Sequence, residues 1–229
     1  MALTKYSDSK VIYLQVKAYS LWQEFKKPVA GCDEIEVKNP KTGEIIKKHG
    51  YRFDSVSGHV TKLVKYDTER KYPTRYFGFK AHFLDGGEVY VLDMPYQSQI
   101  LRRFLKVAHN VDWSLPLSIS VFKGKKKDGG EELGVWFQQR GATVKPYYTK
   151  EQPHGMPEAV YDDQLQNWDF KAQHRWLVAM LQSETMADIE AAARVAPVVE
   201  QSDQGSEADF QARDFIVDVQ PITDDDVPF

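Results

Sequence analysis

Arg75-Tyr76-Phe77-Gly78-Phe79-Lys80-Ala81-His82-Phe83-Leu84, followed by Asp85-Gly86-Gly87 and Glu88-Val89-Tyr90-Val91-Leu92, is the stretch from which the fold is read. Apolar and other residues alternate in the first run, the period of a strand with one buried face. Asp85-Gly86-Gly87 is the glycine-rich connection that a tight hairpin demands, and Glu88–Leu92 is the returning strand. Phe77, Phe79, Ala81 and Phe83 share one side and are expected in the core. Tyr76, Lys80 and His82 then point the other way, with Gly78 leaving room between them.

Further strands flank this hairpin. Tyr51–Phe53, running on to Tyr66, precedes it; Leu117–Lys123 and Val135–Arg140 follow. Between lies Gln97–His109, where Ile100, Leu101, Phe104, Leu105 and Ala108 form a helical stripe. Gly124–Gly130, with Lys125-Lys126-Lys127 at its centre, links the last two strands as a basic loop. Three strands, a helix and two strands is the order of an OB-fold, a five-stranded Greek-key barrel that binds oligonucleotides.

The expected fold class is therefore mainly β with accessory helices. An OB-fold core spans 51–150, and an N-terminal extension, 1–50, packs on the barrel. Alternation of Ile12, Leu14, Val16 and Ala18 predicts one more strand in that extension. A C-terminal helical extension spans 151–197. In it, Leu165, Trp168, Ala172, Trp176, Met180 and Leu181 predict a helix over 161–195 that ends before Pro197, its aromatic stripe serving as core packing. A disordered acidic tail occupies 198–229, because Glu200–Glu207 is polar and without period. A short apolar patch, Phe215-Ile216-Val217, interrupts it.

Alternation sorts the later strands too. Leu117, Ile119 and Val121 turn inward, leaving Ser118, Ser120 and Phe122 outside. Val135 and Phe137 turn inward, leaving Trp136, Gln138 and Arg140 outside. Rings exposed beside Lys and Arg fit single-strand binding, since any base stacks on a ring for about 1–3 kcal/mol. Neighbouring cations release counterions from phosphates, with a salt slope near −0.7 per contact. The candidate nucleic-acid ligands are Lys62, Lys65, Arg75, Tyr76, Lys80, Phe122, Lys125, Lys126, Trp136 and Arg140, with Arg70, Lys71 and Lys127 as further phosphate contacts. Duller roles compete: the lysine loop as a solvated hairpin, and Trp136 as a side chain covered by the 161–195 helix or the N-terminal extension.

The 229-residue chain carries a formal net charge of −3 that conceals a split. Residues 1–150 hold roughly ten more basic than acidic side chains, and 151–229 roughly thirteen more acidic than basic ones. A basic body with an acidic end suits a protein that holds a polyanion and limits that hold. One cysteine, Cys32, excludes an internal disulfide and a cysteine-based zinc site. No apolar run is long enough for a membrane span. Phosphate-loop, His-Glu-x-x-His and Gly-x-Ser-x-Gly motifs are absent. The six histidines show no metal-ligand spacing. Asp162-Asp163 is read as opening the helix that follows it rather than as a magnesium site. No enzyme, cofactor or metal is expected, and a cytoplasmic setting is the default.

The chain ends Asp224-Asp225-Asp226-Val227-Pro228-Phe229. A partner can read such an end with a basic patch for the acids, a pocket for the ring and a nest for the carboxylate. A merely solubilising acidic tail is the alternative, and it would require no fixed order. The end resembles the acidic tip of bacterial single-stranded DNA-binding proteins, typically Asp-Asp-Asp-Ile-Pro-Phe, with Val227 in place of isoleucine. The larger body, the N-terminal extension and the missing low-complexity linker make the whole chain more similar to the single-stranded DNA-binding proteins that bacteriophages encode. That resemblance implies sequence-nonspecific binding of single-stranded DNA in replication, recombination and repair, in the host cytoplasm. It implies recruitment of phage or host replication and recombination proteins through Asp224, Asp225, Asp226, Val227, Pro228 and Phe229. A monomer or dimer is favoured. Two other readings stay open: a duplex-binding or nucleoid-type protein, and a replication adaptor that acts only through its tail.

Overall fold

The computed structural model describes residues 11–38, 42–67, 77–96, 98–126, 129–163 and 167–195. At its centre stand β6 (Phe77–Asp85) and β7 (Glu88–Pro95), antiparallel, with Asp85 opposite Glu88. Gly86 and Gly87 make the turn at φ +53° and +87°, the left-handed pair that lets a two-residue loop follow strand twist. Phe79, Ala81 and Phe83 are fully buried, while Lys80 and His82 face the other way.

The long strand β5 (Ser55–Asp67) runs beside β6, and its first residues, Ser55–Gly58, pair instead with β8 (Leu117–Lys125). A bulge between Val60 and Lys62 bends it. At Gly58, φ is +145° and an added Cβ would lie 2.6 Å from the Leu84 carbonyl oxygen, so the strand turns its corner where only glycine fits. Then come β9 (Glu131–Gln139), paired with β8, and β10 (Ala142–Thr143), paired with β9. Helix α1 (Gln99–Val107) links β7 to β8, and Ser98 Oγ accepts the Leu101 N–H at its start, 3.3 Å. Ile100, Leu101, Phe104 and Leu105 are buried in one core with Ile119, Val121, Val135 and Phe137.

The N-terminal region differs from expectation. Among its described residues are four strands: β1 (Val11–Lys17), β2 (Ser20–Phe25), β3 (Asp33–Lys38) and β4 (Ile45–Phe53). The stretch from Tyr51 to Tyr66 is thus two strands, parted at Asp54, and a boundary at residue 50 falls inside β4. β1 lies parallel to β7, and the ten strands are ordered β10-β9-β8-β5-β6-β7-β1-β2-β4-β3. The sheet is open, with β10 and β3 at its edges, not a closed five-stranded barrel. Closure would need β7 to pair with β9, but β1 occupies that edge. Ile12 and Leu14, opposite Tyr90 and Leu92, are buried there, so one strand satisfies the edge's backbone groups and enlarges the core.

The C-terminal helix also starts later than the spacing predicts. Val160–Asp162 (β11) and Asn167–Asp169 (β12) form a separate two-stranded hairpin, and helix begins at α2 (Lys171–Met180). A π-helical turn, Leu181–Thr185, leads into α3 (Met186–Val195). Asp162-Asp163 does not open the helix; Asp169 does, its Oδ1 accepting the Lys171 N–H at 2.8 Å. Trp168 therefore leaves the helical stripe and meets Tyr161 edge-on at 5.2 Å. The stripe that is buried runs through His174, Leu177, Val178, Leu181, Thr185 and Ile189. Leu165 and the tail, 198–229, lie outside the described residues.

Candidate nucleic-acid interface

Strand pairing decides which side chains share the face turned away from the core. Lys62 lies opposite His82, Val64 opposite Lys80 and Tyr66 opposite Gly78; on the far side of β7, Tyr13 lies opposite Val91. Lys62, Lys80, His82, Tyr66 and Tyr13 thus occupy one surface. The Lys80 ammonium sits between two rings, 5.2 Å from the Tyr66 centroid and 5.9 Å from that of Tyr13.

Tyr66 is fixed. Its ring lies across Gly78, where an added Cβ would come within 2.5 Å of the hydroxyl oxygen, and its hydroxyl donates to Asp93 Oδ1 at 2.7 Å. The room at Gly78 is filled by this ring. Burial and the Asp93 carboxylate push the Tyr66 hydroxyl far above its ordinary range, so it stays protonated. Tyr13 is 61% exposed and free to take a ligand on its ring. Burial, then the charges of Lys62 and Lys80, hold His82 below the usual histidine range; its ring is neutral at pH 7, so the charge of this surface comes from the lysines.

Other cations of this surface are engaged. Glu24 accepts from Gln15 and from Lys48, at 3.0 and 2.8 Å, and also from Lys17. Burial works against its charge, yet the two ammoniums hold its carboxyl below the usual range. Lys123, on the core-facing side of β8 at an exposed strand end, is bound to Glu131 and reaches to 5.8 Å from the Tyr19 ring. Among the described residues, Lys62 and Lys80 sit in no such pair.

A second aromatic patch lies on β8 and β9. Phe122 and Trp136 face outward, their centroids 4.6 Å apart with planes at 51°. Gly134 makes the pairing possible, since a Cβ there would lie 2.2 Å from the Phe122 ring. Both rings are half-buried. The crevice beside Trp136 is lined by Arg103 and Lys106 of α1 and by Thr143, Val144 and Pro146; among the described residues, none of 161–195 or of the first fifty lines it. Lys125 and Lys126 are exposed at the hairpin end, closed by a Lys126 N–H to Gly130 oxygen bond of 2.8 Å. Arg140, at φ +51°, is exposed in the turn before β10.

The structure thus places Lys62 and Lys80 together, Phe122 and Trp136 together, and Lys125 and Lys126 at the tip of one hairpin. Lys65 departs from Lys62 and Lys80. It lies opposite Phe79 on the core-facing side, at a strand end that leaves it exposed, with its ammonium 5.0 Å from the Phe77 ring. Three residues separate Lys62 from Lys65, and an odd spacing on a strand puts two side chains on opposite faces. Arg75 and Tyr76, with Arg70, Lys71, Lys127 and Asp224–Phe229, lie outside the described residues. Tyr13 and Tyr66 are the residues that sequence reasoning missed. For Tyr13 the signal was present: if Ile12 and Leu14 point inward, the residue between them points out. No family model matches this chain, and neither do any curated proteins or solved structures.

Proposed function

We propose that the protein binds single-stranded DNA without sequence preference, in replication, recombination and repair. In this role it protects the strand and recruits partner proteins through its acidic tip. The observation that carries this reading is the Lys80 ammonium held between the rings of Tyr13 and Tyr66 on the outer face of β6, β7 and β1. An exposed ring accepts any base and the ammonium accepts its phosphate, which is what binding without sequence choice requires. Phe122 and Trp136 supply a second stacking surface.

The strand order supports an OB-like core. β5, β6, β7, α1, β8 and β9 follow the expected sequence of elements, with β5 shared between β6 and β8. In OB-folds the ligand lies on the second and third strands. Here those strands are β6 and β7. β1 takes the closing position, so the sheet is OB-like in its order of elements and open in its pairing. In this reading the acidic tail takes the same basic surface when no strand is bound and is released when DNA enters.

The test is a fluorescence titration with labelled dT oligomers at two salt concentrations, beside a matching duplex. Tight dT binding, weakening steeply with salt and quenching tryptophan, supports the proposal. Equal or stronger binding of duplex sinks it in favour of a duplex-binding protein. No binding of either leaves the tail as the functional part. Deleting 198–229 is expected to tighten dT binding, most at low salt; unchanged affinity there removes the competition alone.

A further inference from the structure

A cleft of about 340 Å³ opens where α1, the end of β7 and the start of α2 meet, lined by Tyr96, Arg102, Trp168, Asp169, Phe170, Lys171 and His174. We infer that this cleft, with the β11–β12 hairpin as its wall, takes one nucleotide of the bound strand. This inference rests on the single-strand reading above and extends the strand's path off the sheet onto the C-terminal region.

Three observations converge on it. The hairpin is a two-stranded unit outside the main sheet, yet it exposes three large apolar residues: Val160, Tyr161 and Trp168. An isolated hairpin is marginal in water, and an exposed apolar patch marks an interaction surface. Trp168, 53% exposed, both belongs to this patch and lines the cleft.

The floor is polar and incomplete. His174 is 5% exposed, lies 4.7 Å from the Tyr96 ring centroid, and its Nε2 has no hydrogen-bond partner. An orphaned buried nitrogen is costly, and a base edge, which offers both donors and acceptors, is a group that would complete it. Burial, then Arg102, lowers the His174 pKa to about 4, so the ring is neutral at physiological pH and acts as a hydrogen-bonding group.

Charge and continuity name the ligand. Arg102 and Lys171 stand in the lining against one carboxylate, Asp169, which already accepts the Lys171 N–H and lies 3.6 Å from the Lys171 ammonium. The ring of Phe77, the first residue of β6, lies 4.4 Å from that of Tyr96, centroid to centroid, and the Lys65 ammonium sits 5.0 Å over the Phe77 ring. The cleft therefore begins beside the first residue of β6, through Tyr96. That explains the place of Lys65: it faces this end of the path, apart from Lys62 and Lys80.

The test uses the full chain, titrated with dT oligomers of increasing length, for the wild type, Trp168→Ala and Lys171→Gln. Both side chains are exposed, so the fold is expected to persist, and circular dichroism checks it. Trp168→Ala is expected to weaken long oligomers about 5- to 150-fold, the loss of one stacked base, and to spare the shortest oligomers that bind. Lys171→Gln is expected to reduce the salt slope on long oligomers by about 0.7. Wild-type binding of dT with both variants unchanged at every length overturns this inference alone. Absence of dT binding by the wild type overturns the parent reading with it. A synthetic Asp224–Phe229 peptide that binds the wild type but not Trp168→Ala, while DNA affinity is unaffected, assigns the cleft to the tail and overturns the nucleotide.

Discussion

Replacing Tyr13 by alanine tests the proposed face at its most exposed point. The ring is 61% exposed, so little burial is lost; the strand's hold on the sheet comes from Ile12 and Leu14 on the opposite side. The contact with Lys80 at 5.9 Å is worth about 0.5–1 kcal/mol at an exposed site. Stability should therefore change by no more than about 1 kcal/mol. Binding should change more. One stacked base contributes about 1–3 kcal/mol, which corresponds to a dissociation constant raised about 5- to 150-fold. Anisotropy with labelled dT, at low and at physiological salt, reads both affinity and slope. The slope should stay constant, because no cation is removed. Lys80→Gln should do the reverse, flattening the slope by about 0.7. Tyr13→Ala with its melting temperature intact and its dT affinity within about twofold of wild type would refute the assignment of this face.

Gly134→Ala places a Cβ 2.2 Å from the Phe122 ring, so the Phe122–Trp136 pair must separate; a loss of about 1–3 kcal/mol is expected, seen as a melting temperature lower by several degrees. Gly78→Ala drives Tyr66 from its place in the same way, and should break the bond to Asp93; tyrosine absorbance against pH would then show one phenol titrating nearer its ordinary value. Acid should destabilise the fold through His174. Its folded pKa is about 4 against 6.5 for the free side chain, so the unfolded chain binds the extra proton between those values. Stability is then full above pH 6.5 and falls as pH drops toward 4. Thermal melts across that window should show the fall, and His174→Gln should make it shallower.

The central hairpin and its faces were legible because two features agreed over one short stretch: apolar alternation and a glycine pair at the turn. The same held for β8 and β9, where Leu117, Ile119, Val121, Val135 and Phe137 are all buried. Closure was not legible. Strand order says which strands exist, but the edge of β7 is open to competition, and the winner depends on burial between distant segments. The β11–β12 hairpin was hidden for a different reason. Trp168 and Trp176 keep a helical spacing, and three-residue strands are too short to reveal alternation. Only Asp169, two residues before the first helical N–H it binds, marks the true start.

The pleat of β1 ties the interface to the core. Ile12 and Leu14 bury against Tyr90 and Leu92, and the alternation that takes them inward presents Tyr13 outward beside Lys80. A slip of one residue would bury the tyrosine and expose both aliphatic side chains. Each of those is worth about 1.5–3 kcal/mol when fully buried, so the register that positions the ligand-facing ring is enforced by contacts that never touch the ligand. The same logic places Lys80 through Phe79 and Ala81, and Trp136 through Val135 and Phe137. A site built this way needs no short motif: its residues are the alternate members of strands whose other members form the core. It is therefore read from strand pairing, and it is lost when the pairing is guessed wrongly by one.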